Sequence, residues 1–304
     1  MKYELKNGKV LTSGIIKYAV AYHCNLRCSG CTHLAPYSRK YFPSLESFTA
    51  DVNRLGKGLH ASVIELLGGE PLLNPEINSY IKAAKESGIA ETVRVTTNGL
   101  LLHKMNDEFW RDVDVVSVTM YPDALPQEKF IPMFKKRAEE SNTRLYLRSR
   151  PQFRAVIVTE PHPHDWITKM IFRTCKDPAC YHYHMIHEGK LYKCGTPAFL
   201  KDYLSKMGRN DYDPLVDSFD IHSSRDIYRD VKEFLISGTA IDACRFCLGY
   251  VGKSQEHHQL GSEHIADPGL QNIRRSTHLD TYRFLVRCAL YYQQLALEKI
   301  KGAA

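Results

Sequence analysis

The sequence predicts an α/β protein with a parallel sheet, because short apolar segments alternate with amphipathic segments throughout its first half. The apolar segments are bounded by turns or polar residues, as is typical of strands that are buried on both faces. These predicted strands are Ile15–Tyr22, Val63–Leu67, Thr92–Thr96, Val113–Thr119 and Leu145–Leu147. The amphipathic segments between them predict helices at Leu45–Gly56, Glu76–Ser87, Lys104–Arg111 and Glu128–Ser141.

Successive strand–helix units favour right-handed crossovers, and here they indicate a barrel or part of one. Five or six units fit before residue 160, whereas an eight-fold TIM barrel needs about 200 to 250 residues. We therefore expect a partial (β/α)6 TIM-like barrel over residues 1–160. Pro161 and Pro163 mark a change of composition. Residues 161–252 are predicted to form a second unit, and residues 253–304 a polar segment followed by a C-terminal helix.

Charge and hydropathy exclude several classes of partner. The 304 residues carry a formal charge of +7, but Lys and Arg are spread along the chain and do not form a basic stripe with interleaved aromatics, so no nucleic-acid partner is expected. No apolar run reaches the roughly eighteen residues of a membrane span. The polar N-terminus lacks the apolar core of a signal peptide. These features predict a cytoplasmic protein without a membrane partner.

Cysteines carry the first functional signal. In a chain without a secretion signal, the nine cysteines are better explained as metal ligands than as disulfides. Cys24, Cys28 and Cys31 share one loop directly after the first predicted strand. Three thiolates at this spacing can hold three corners of a cubic four-iron cluster and leave the fourth iron open to a small molecule. The alternative is zinc, but a closed zinc site needs four ligands, and the nearest further candidate is His33.

This Cys-x3-Cys-x2-Cys loop resembles the hallmark of the radical S-adenosylmethionine (SAM) superfamily. The resemblance continues at residues 68–71, GGEP, which follow the second strand and match an element of that family. It implies that Gly68, Gly69 and the Glu70 carboxylate receive the SAM amino group. Thr97 and Asn98, where the third strand ends, look like the polar strand end near the SAM ribose. All three elements follow consecutive strands, at the end of the barrel where such enzymes place their sites.

One position departs from the family pattern. Most members have an aromatic residue just before the third cysteine, where it packs on the adenine, and here that position is Gly30. The candidates for the missing contact are His33, Tyr37 and Phe42. The SAM carboxylate commonly pairs with a basic residue late in the barrel. Arg148 and Arg150, at the fifth strand, are candidates because arginine binds carboxylates in a bidentate manner.

A second cysteine group follows the barrel and gives four thiolates, enough to close a cluster completely. Its members are Cys175, Cys194, Cys244 and Cys247. A hairpin is predicted at Tyr181–Tyr192 with its turn at Glu188–Gly189, and a helix at Arg225–Ile236. This order resembles the twitch domain, a shortened SPASM domain with an auxiliary cluster. A four-cysteine zinc site is the alternative, and Cys180 could replace Cys175 as a ligand.

The resemblance implies two [4Fe-4S] clusters and SAM as cofactors. One electron from the first cluster would split SAM into methionine and a 5′-deoxyadenosyl radical, which removes a hydrogen atom from a substrate carbon. The second cluster suits electron transfer to or from the site. A small-molecule substrate and an electron donor such as flavodoxin or ferredoxin are therefore the expected partners.

Only analogy with other enzymes indicates the class of substrate. A single auxiliary cluster resembles enzymes that oxidise or epimerise sugars and aminocyclitols in carbohydrate or antibiotic biosynthesis. Modification of a ribosomally made peptide is an alternative, although few residues precede Cys24 to form a peptide-recognition domain. A non-catalytic iron–sulfur carrier is a further alternative, but it would have no use for the GGEP element. An epimerase needs a hydrogen donor, and the thiol of Cys180 is the candidate.

Overall fold

A computed structural model describes residues 3–122, 129–177, 182–271 and 273–302. The strands are β1 (Glu4–Lys6), β2 (Lys9–Ala21), β3 (Leu59–Gly68), β4 (Ala90–Thr97), β5 (Val115–Met120), β6 (Arg144–Ser149), β7 (Gln152–Arg154), β8 (Tyr183–His187), β9 (Lys190–Tyr192), β10 (Ser218–Asp220) and β11 (Ser254–Glu256). The α-helices are α1 (Leu45–Leu55), α2 (Ile77–Glu86), α3 (Asp107–Asp112), α4 (Ile131–Glu140), α5 (Asp165–Thr174), α6 (Thr196–Lys206), α7 (Ile227–Ile236), α8 (Ser262–Ala266), α9 (Arg275–His278) and α10 (Thr281–Gly302).

The main sheet has the strand order β10-β9-β8-β2-β3-β4-β5-β6, and β1 pairs with β2 outside this path. Strands β2 to β6 are parallel neighbours, and β8 also pairs in parallel with β2. Helices α1 to α4 connect β2 to β6 in sequence. These strand–helix units confirm the predicted α/β class and the partial TIM-like barrel.

The hairpin β8–β9 turns at Glu188 and Gly189, both with positive φ, as a two-residue hairpin turn requires. Because β8 lies beside β2, the segment that carries the second cysteine group joins the barrel sheet directly. Sequence reasoning found the hairpin but not its partner strand. Tyr181, where the hairpin was predicted to begin, lies outside the described residues. The boundary near residue 160 stays a prediction.

One helix is shorter in the structure than its sequence predicts. The helix predicted at Lys104–Arg111 starts only at Asp107, the first residue of α3, and Lys104 is instead the last residue of a 3₁₀ turn, Leu102–Lys104. The side chain of Asn106 accepts a hydrogen bond from the Phe109 N–H at 2.9 Å. This N-cap fixes the start of α3, because Asn satisfies a donor that the first turn leaves unpaired.

The parallel strands have two different faces because side chains alternate along each strand. Ile64, Val95 and Val116 point to the helices, where they join fully buried aromatics such as Phe48 and Trp110 in the main core. The alternate residues of β3 to β5 face the opposite way and line a cavity instead. The fold therefore places a dry core behind the sheet and the site in front of it.

The C-terminal helix α10 packs on α5 through Phe284, which joins Met170 and Ile171 in a small separate core. Other apolar residues of α10 remain exposed, including Tyr282 and Leu290. Among the described residues, no helix combines the length and apolar character needed to cross a membrane.

Candidate functional site

One cavity of about 610 Å³ lies on the open face of the sheet. Its wall brings together nearly all of the predicted site residues: Cys24, Cys28, Cys31, Gly68, Gly69, Thr97, Asn98, Arg148, Cys175, Cys194, Cys244 and Cys247. Glu70 does not line this wall, because it is fully buried. Cys180 lies outside the described residues, so its role stays a prediction.

The first cysteine group occupies the loop between β2 and the 3₁₀ turn Ala35–Tyr37. The Leu26 N–H donates a hydrogen bond to Cys24 Sγ at 3.4 Å, and backbone N–H groups after Cys31 donate to its sulfur. Burial is the largest cause that raises the pKa of Cys24 and of Cys31. A bound metal reverses this effect and deprotonates a coordinating thiol. Buried sulfurs that accept backbone hydrogen bonds are suited to hold an iron–sulfur cluster.

Gly68 and Gly69 allow the end of β3 to approach the cysteine loop. The Gly69 N–H donates to the Ala21 carbonyl at 2.7 Å, and the Glu70 N–H donates to the His23 carbonyl at 3.0 Å. A Cβ at Gly68 would overlap the Ala21 carbonyl oxygen, and one at Gly69 would overlap the His23 carbonyl oxygen. Gly68 also has a φ of 139°, which side chains rarely allow. Both glycines therefore have a packing role, independent of any ligand.

The Glu70 carboxyl group connects the ends of β3 and β4. Its Oε1 accepts hydrogen bonds from Thr97 Oγ1 at 2.6 Å and the Leu72 N–H at 3.0 Å, while Oε2 accepts one from the Asn98 N–H at 2.8 Å. Burial raises the pKa of Glu70 to about 7, although these hydrogen bonds lower it. A carboxylate oxygen can accept two hydrogen bonds, so Oε2 has capacity for another donor.

The second cysteine group surrounds the opposite part of the cavity. Cys175 follows α5, Cys194 follows β9, and Cys244 and Cys247 lie at the 3₁₀ segment Asp242–Phe246. The Gly249 N–H donates to Cys247 Sγ at 3.2 Å. Burial raises the pKa of Cys247 to about 11. Burial is the largest cause that raises the pKa of Cys244, and the three other thiols of the group raise it further. All four sulfurs therefore lie close enough to interact electrostatically.

The spacing of the thiols bears on which metal they could hold. Within the described parts of the chain, no three His, Cys, Asp or Glu side chains converge in a way that could hold a single metal ion. Zinc with four thiolates would place neighbouring sulfurs about 3.8 Å apart. A cubic cluster carries each thiolate on a different iron and needs wider spacing. The distances between sulfurs therefore distinguish the two kinds of site.

Two aromatic residues that sequence reasoning missed, Tyr121 and Phe153, also line the cavity. Their rings stack at 5.6 Å between centroids. A Cβ at Gly30 would lie only 3.2 Å from Phe153 Cβ, so Phe153 fills the space beside this glycine. Burial is the main cause that raises the pKa of Tyr121, and the thiols of the first cysteine group raise it further. Tyr121 therefore lies close to the cysteine loop.

The three aromatic candidates from the sequence have different environments. His33 lines the cavity, and burial lowers its pKa to about 3, so its ring is neutral there. Tyr37 packs against Tyr203 and Phe42 against His23, and neither belongs to the cavity wall. Both basic candidates, Arg148 and Arg150, line the cavity.

Comparison with known families agrees with this geometry. Residues 18–149 match the Radical SAM superfamily. This stretch covers less than half of the chain, runs from within β2 to the end of β6 and contains the cysteine loop.

The chain is similar to the GTP 3′,8-cyclase of Chlorobaculum tepidum, with 32% identity over 126 residues. That match covers 41% of this chain and 37% of the cyclase. The GTP 3′,8-cyclase of Alkaliphilus oremlandii is 28% identical over 110 residues, covering 35% of this chain and 34% of that protein. The match thus spans about a third of the length of these relatives.

The chain also has a distant similarity to two solved structures. BtrN in complex with AdoMet and 2-DOIA is 14% identical, with a TM-score of 0.43, over 77% of this chain and 92% of that chain. The native protein anSMEcpe with bound AdoMet is 12% identical, with a TM-score of 0.47, over 79% and 88% of the two chains.

The glycine contacts give a direct prediction. Gly69→Ala should lower the free energy of unfolding by about 2 kcal/mol or more, because its Cβ forces the backbones of β3 and the cysteine loop apart. Gly238→Ala is the control, since Gly238 is exposed and a Cβ there meets nothing within 4 Å; we expect a change within about 0.5 kcal/mol. Urea denaturation measures both. Equal stabilities would contradict the close approach.

Proposed function

We propose that this protein is a radical SAM enzyme that abstracts hydrogen from a carbon of a small, sugar-like substrate and thereby oxidises or epimerises it. The observation that carries the proposal is the convergence of the cysteine loop, the two glycines of the GGEP segment and the end of β4 on one cavity. A cluster and SAM, when bound, supply reductive cleavage of SAM and a 5′-deoxyadenosyl radical. The chain supplies binding, orientation and exclusion of water.

Each part of the cavity wall has a role in this proposal. Cys24, Cys28 and Cys31 would hold the first cluster and leave one iron open for SAM. The free acceptor capacity of Glu70 Oε2 would receive the SAM ammonium group. Thr97 and Asn98 line the adjacent wall, where the ribose would lie.

The remaining SAM contacts are assigned by the same reasoning. Arg148 is a candidate partner for the SAM carboxylate because it lines the cavity and can bind a carboxylate in a bidentate manner. Phe153 and Tyr121 provide flat apolar surfaces beside Gly30 for the adenine. This assignment replaces His33, Tyr37 and Phe42 as the leading candidates for that contact.

The second cysteine group is proposed to hold a second [4Fe-4S] cluster in a twitch-like unit. Its four thiols share the cavity with the first group, so an electron could pass between the substrate and the second cluster. Four protein ligands leave no iron open for substrate, which suits an electron-transfer role. Flavodoxin or ferredoxin is the proposed electron donor.

SAM cleavage tests the proposed function. The reconstituted protein with a strong reductant should release 5′-deoxyadenosine, and Cys28→Ala should abolish this release because the cluster loses a ligand. Cys288→Ala is the matched control, since Cys288 lies on α10 outside the cavity wall, and release should be unchanged. Chromatographic quantification of 5′-deoxyadenosine gives the result. Release at the same rate from Cys28→Ala would refute the assigned role of the loop.

The ionisation of Glu70 predicts how SAM affinity depends on pH. Because burial raises its pKa to about 7, the SAM dissociation constant should increase about tenfold per pH unit below pH 7 as the carboxylate protonates. Glu70→Gln should bind SAM more weakly at neutral pH and lose this pH dependence. Glu76→Gln, an exposed control just before α2, should keep it. Equilibrium dialysis between about pH 5.5 and 7.5 measures the profiles. An unchanged profile in Glu70→Gln would remove Glu70 from the SAM site.

A further inference from the structure

A row of charged residues crosses the cavity face of the sheet below the SAM-binding elements. Lys17 on β2 is the register partner of Glu65 on β3, and Glu65 is the register partner of Arg94 on β4. All three residues line the cavity. Central strands of a parallel sheet are ordinarily apolar on both faces. The charged row, defined as Lys17, Glu65 and Arg94, is therefore an exception that needs an explanation.

The charges of this row are only partly paired with each other. Glu65 accepts a hydrogen bond from Thr96 Oγ1 at 2.6 Å, while its distance to Arg94 Nη1 is 3.6 Å, longer than a normal hydrogen bond. The Arg94 side chain is 16% exposed. Its Nε is buried without a hydrogen-bond partner among the described residues. A guanidinium group has five N–H donors, so Arg94 retains donors for an incoming acceptor.

Lys17 adds a second cation to the same face. Its Nζ lies 4.9 Å from the centroid of the Tyr183 ring, and its charge helps to lower the pKa of His33, which is also in the cavity wall. Arg148 lines the cavity as well. Glu65 is the one carboxylate of the row, so positive charge exceeds negative charge on this part of the cavity wall. Such an excess in a half-enclosed cavity attracts anions.

We propose that the charged row binds an oxyanion of the substrate, either a phosphate or a carboxylate, with Arg94 and Lys17 as donors and Glu65 as the residue that positions Arg94. This inference rests on the proposed function, since it assigns one end of that enzyme's substrate. Arg94 can bind two oxygens of either group at once. The same cations would repel an aminocyclitol, which is cationic at neutral pH, so the inference narrows the substrate class to anionic compounds.

The position of the row also limits the size of the substrate. Glu65 precedes Gly68 by three residues, and Arg94 precedes Thr97 by three residues. At the rise of a parallel strand, three residues correspond to about 10 Å. A molecule with its reacting carbon near the strand ends and its oxyanion at the row would have roughly the length of a monosaccharide that carries one phosphate or carboxylate.

Anion binding tests this inference, with inorganic phosphate and acetate as the probes. Calorimetric titration of the reconstituted protein, at constant ionic strength in chloride, should detect binding of at least one of the two. The preferred probe identifies the oxyanion as phosphate or carboxylate. Arg94→Gln and Lys17→Gln should each weaken binding about tenfold or more, because each removes a charge-assisted hydrogen bond. Glu65→Gln should strengthen it, because the amide oxygen still accepts the hydrogen bond from Thr96 and still faces Arg94 while the competing negative charge is lost.

Controls separate this account from a purely structural ion pair. Arg137→Gln should not change anion affinity, because Arg137 pairs with Asp107 on the outer helices. If Glu65 and Arg94 form only a structural pair, both variants lose stability and neither changes anion affinity, which would overturn the inference. Failure of the unaltered protein to bind either anion would also overturn it. If Arg94→Gln does not fold, Lys17→Gln and Glu65→Gln decide the matter.

The two proposals can fail independently. Release of 5′-deoxyadenosine by the unaltered protein, measured without any substrate, decides whether the protein is a radical SAM enzyme. Anion affinity decides only whether the charged row is an oxyanion site. Cleavage of SAM without anion binding would leave the proposed function in place and refute the oxyanion site.

Discussion

The buried carboxyl group of Glu70 is the constraint on which the site depends. Its side chain accepts hydrogen bonds from Thr97 and the Asn98 N–H at the end of β4, and its own backbone N–H donates to His23 beside the first cysteine. One residue thus holds the cysteine loop and two strand ends in register. Such an anchor works only where backbones can touch, which explains the two glycines before it. The balance between burial and hydrogen bonding keeps the pKa of this group near neutrality.

The two faces of the sheet explain how a stable barrel can contain a polar cavity. Apolar residues such as Ile64 and Val116 are buried against the helices and supply the hydrophobic stabilisation. The opposite face carries Glu65 and Arg94, whose burial opposes folding unless they are paired. Their pairing is loose, so the structure tolerates an unfavourable free energy of burying these charges. A cost of this kind is commonly found at functional sites.

The sequence predicted the parts of the fold that depend on local pattern. Apolar strands, amphipathic helices and the hairpin turn at Glu188–Gly189 all follow from short-range preferences, and the structure confirms them. The pairing of β8 with β2 could not be predicted, because it joins segments more than 150 residues apart and no local signal encodes it.

The candidate site was predictable to a similar extent. Cysteine spacing and strand-end motifs selected residues that now share one cavity wall. Phe153 was missed because its proximity to Gly30 arises only in the folded chain. Arg94 was missed because a charged residue within a strand is ordinarily a solvated one, and only the register with Glu65 and Lys17 reveals the row.

We propose that the two cysteine groups in the wall of one cavity would each hold an iron–sulfur cluster. Iron, sulfide and zinc analysis after anaerobic reconstitution tests it most directly. The account predicts about eight irons and eight sulfides per chain, and about half of each in the variant in which Cys24, Cys28 and Cys31 are replaced by Ala. One tightly bound zinc per chain that reconstitution does not displace, with about four irons, would contradict it.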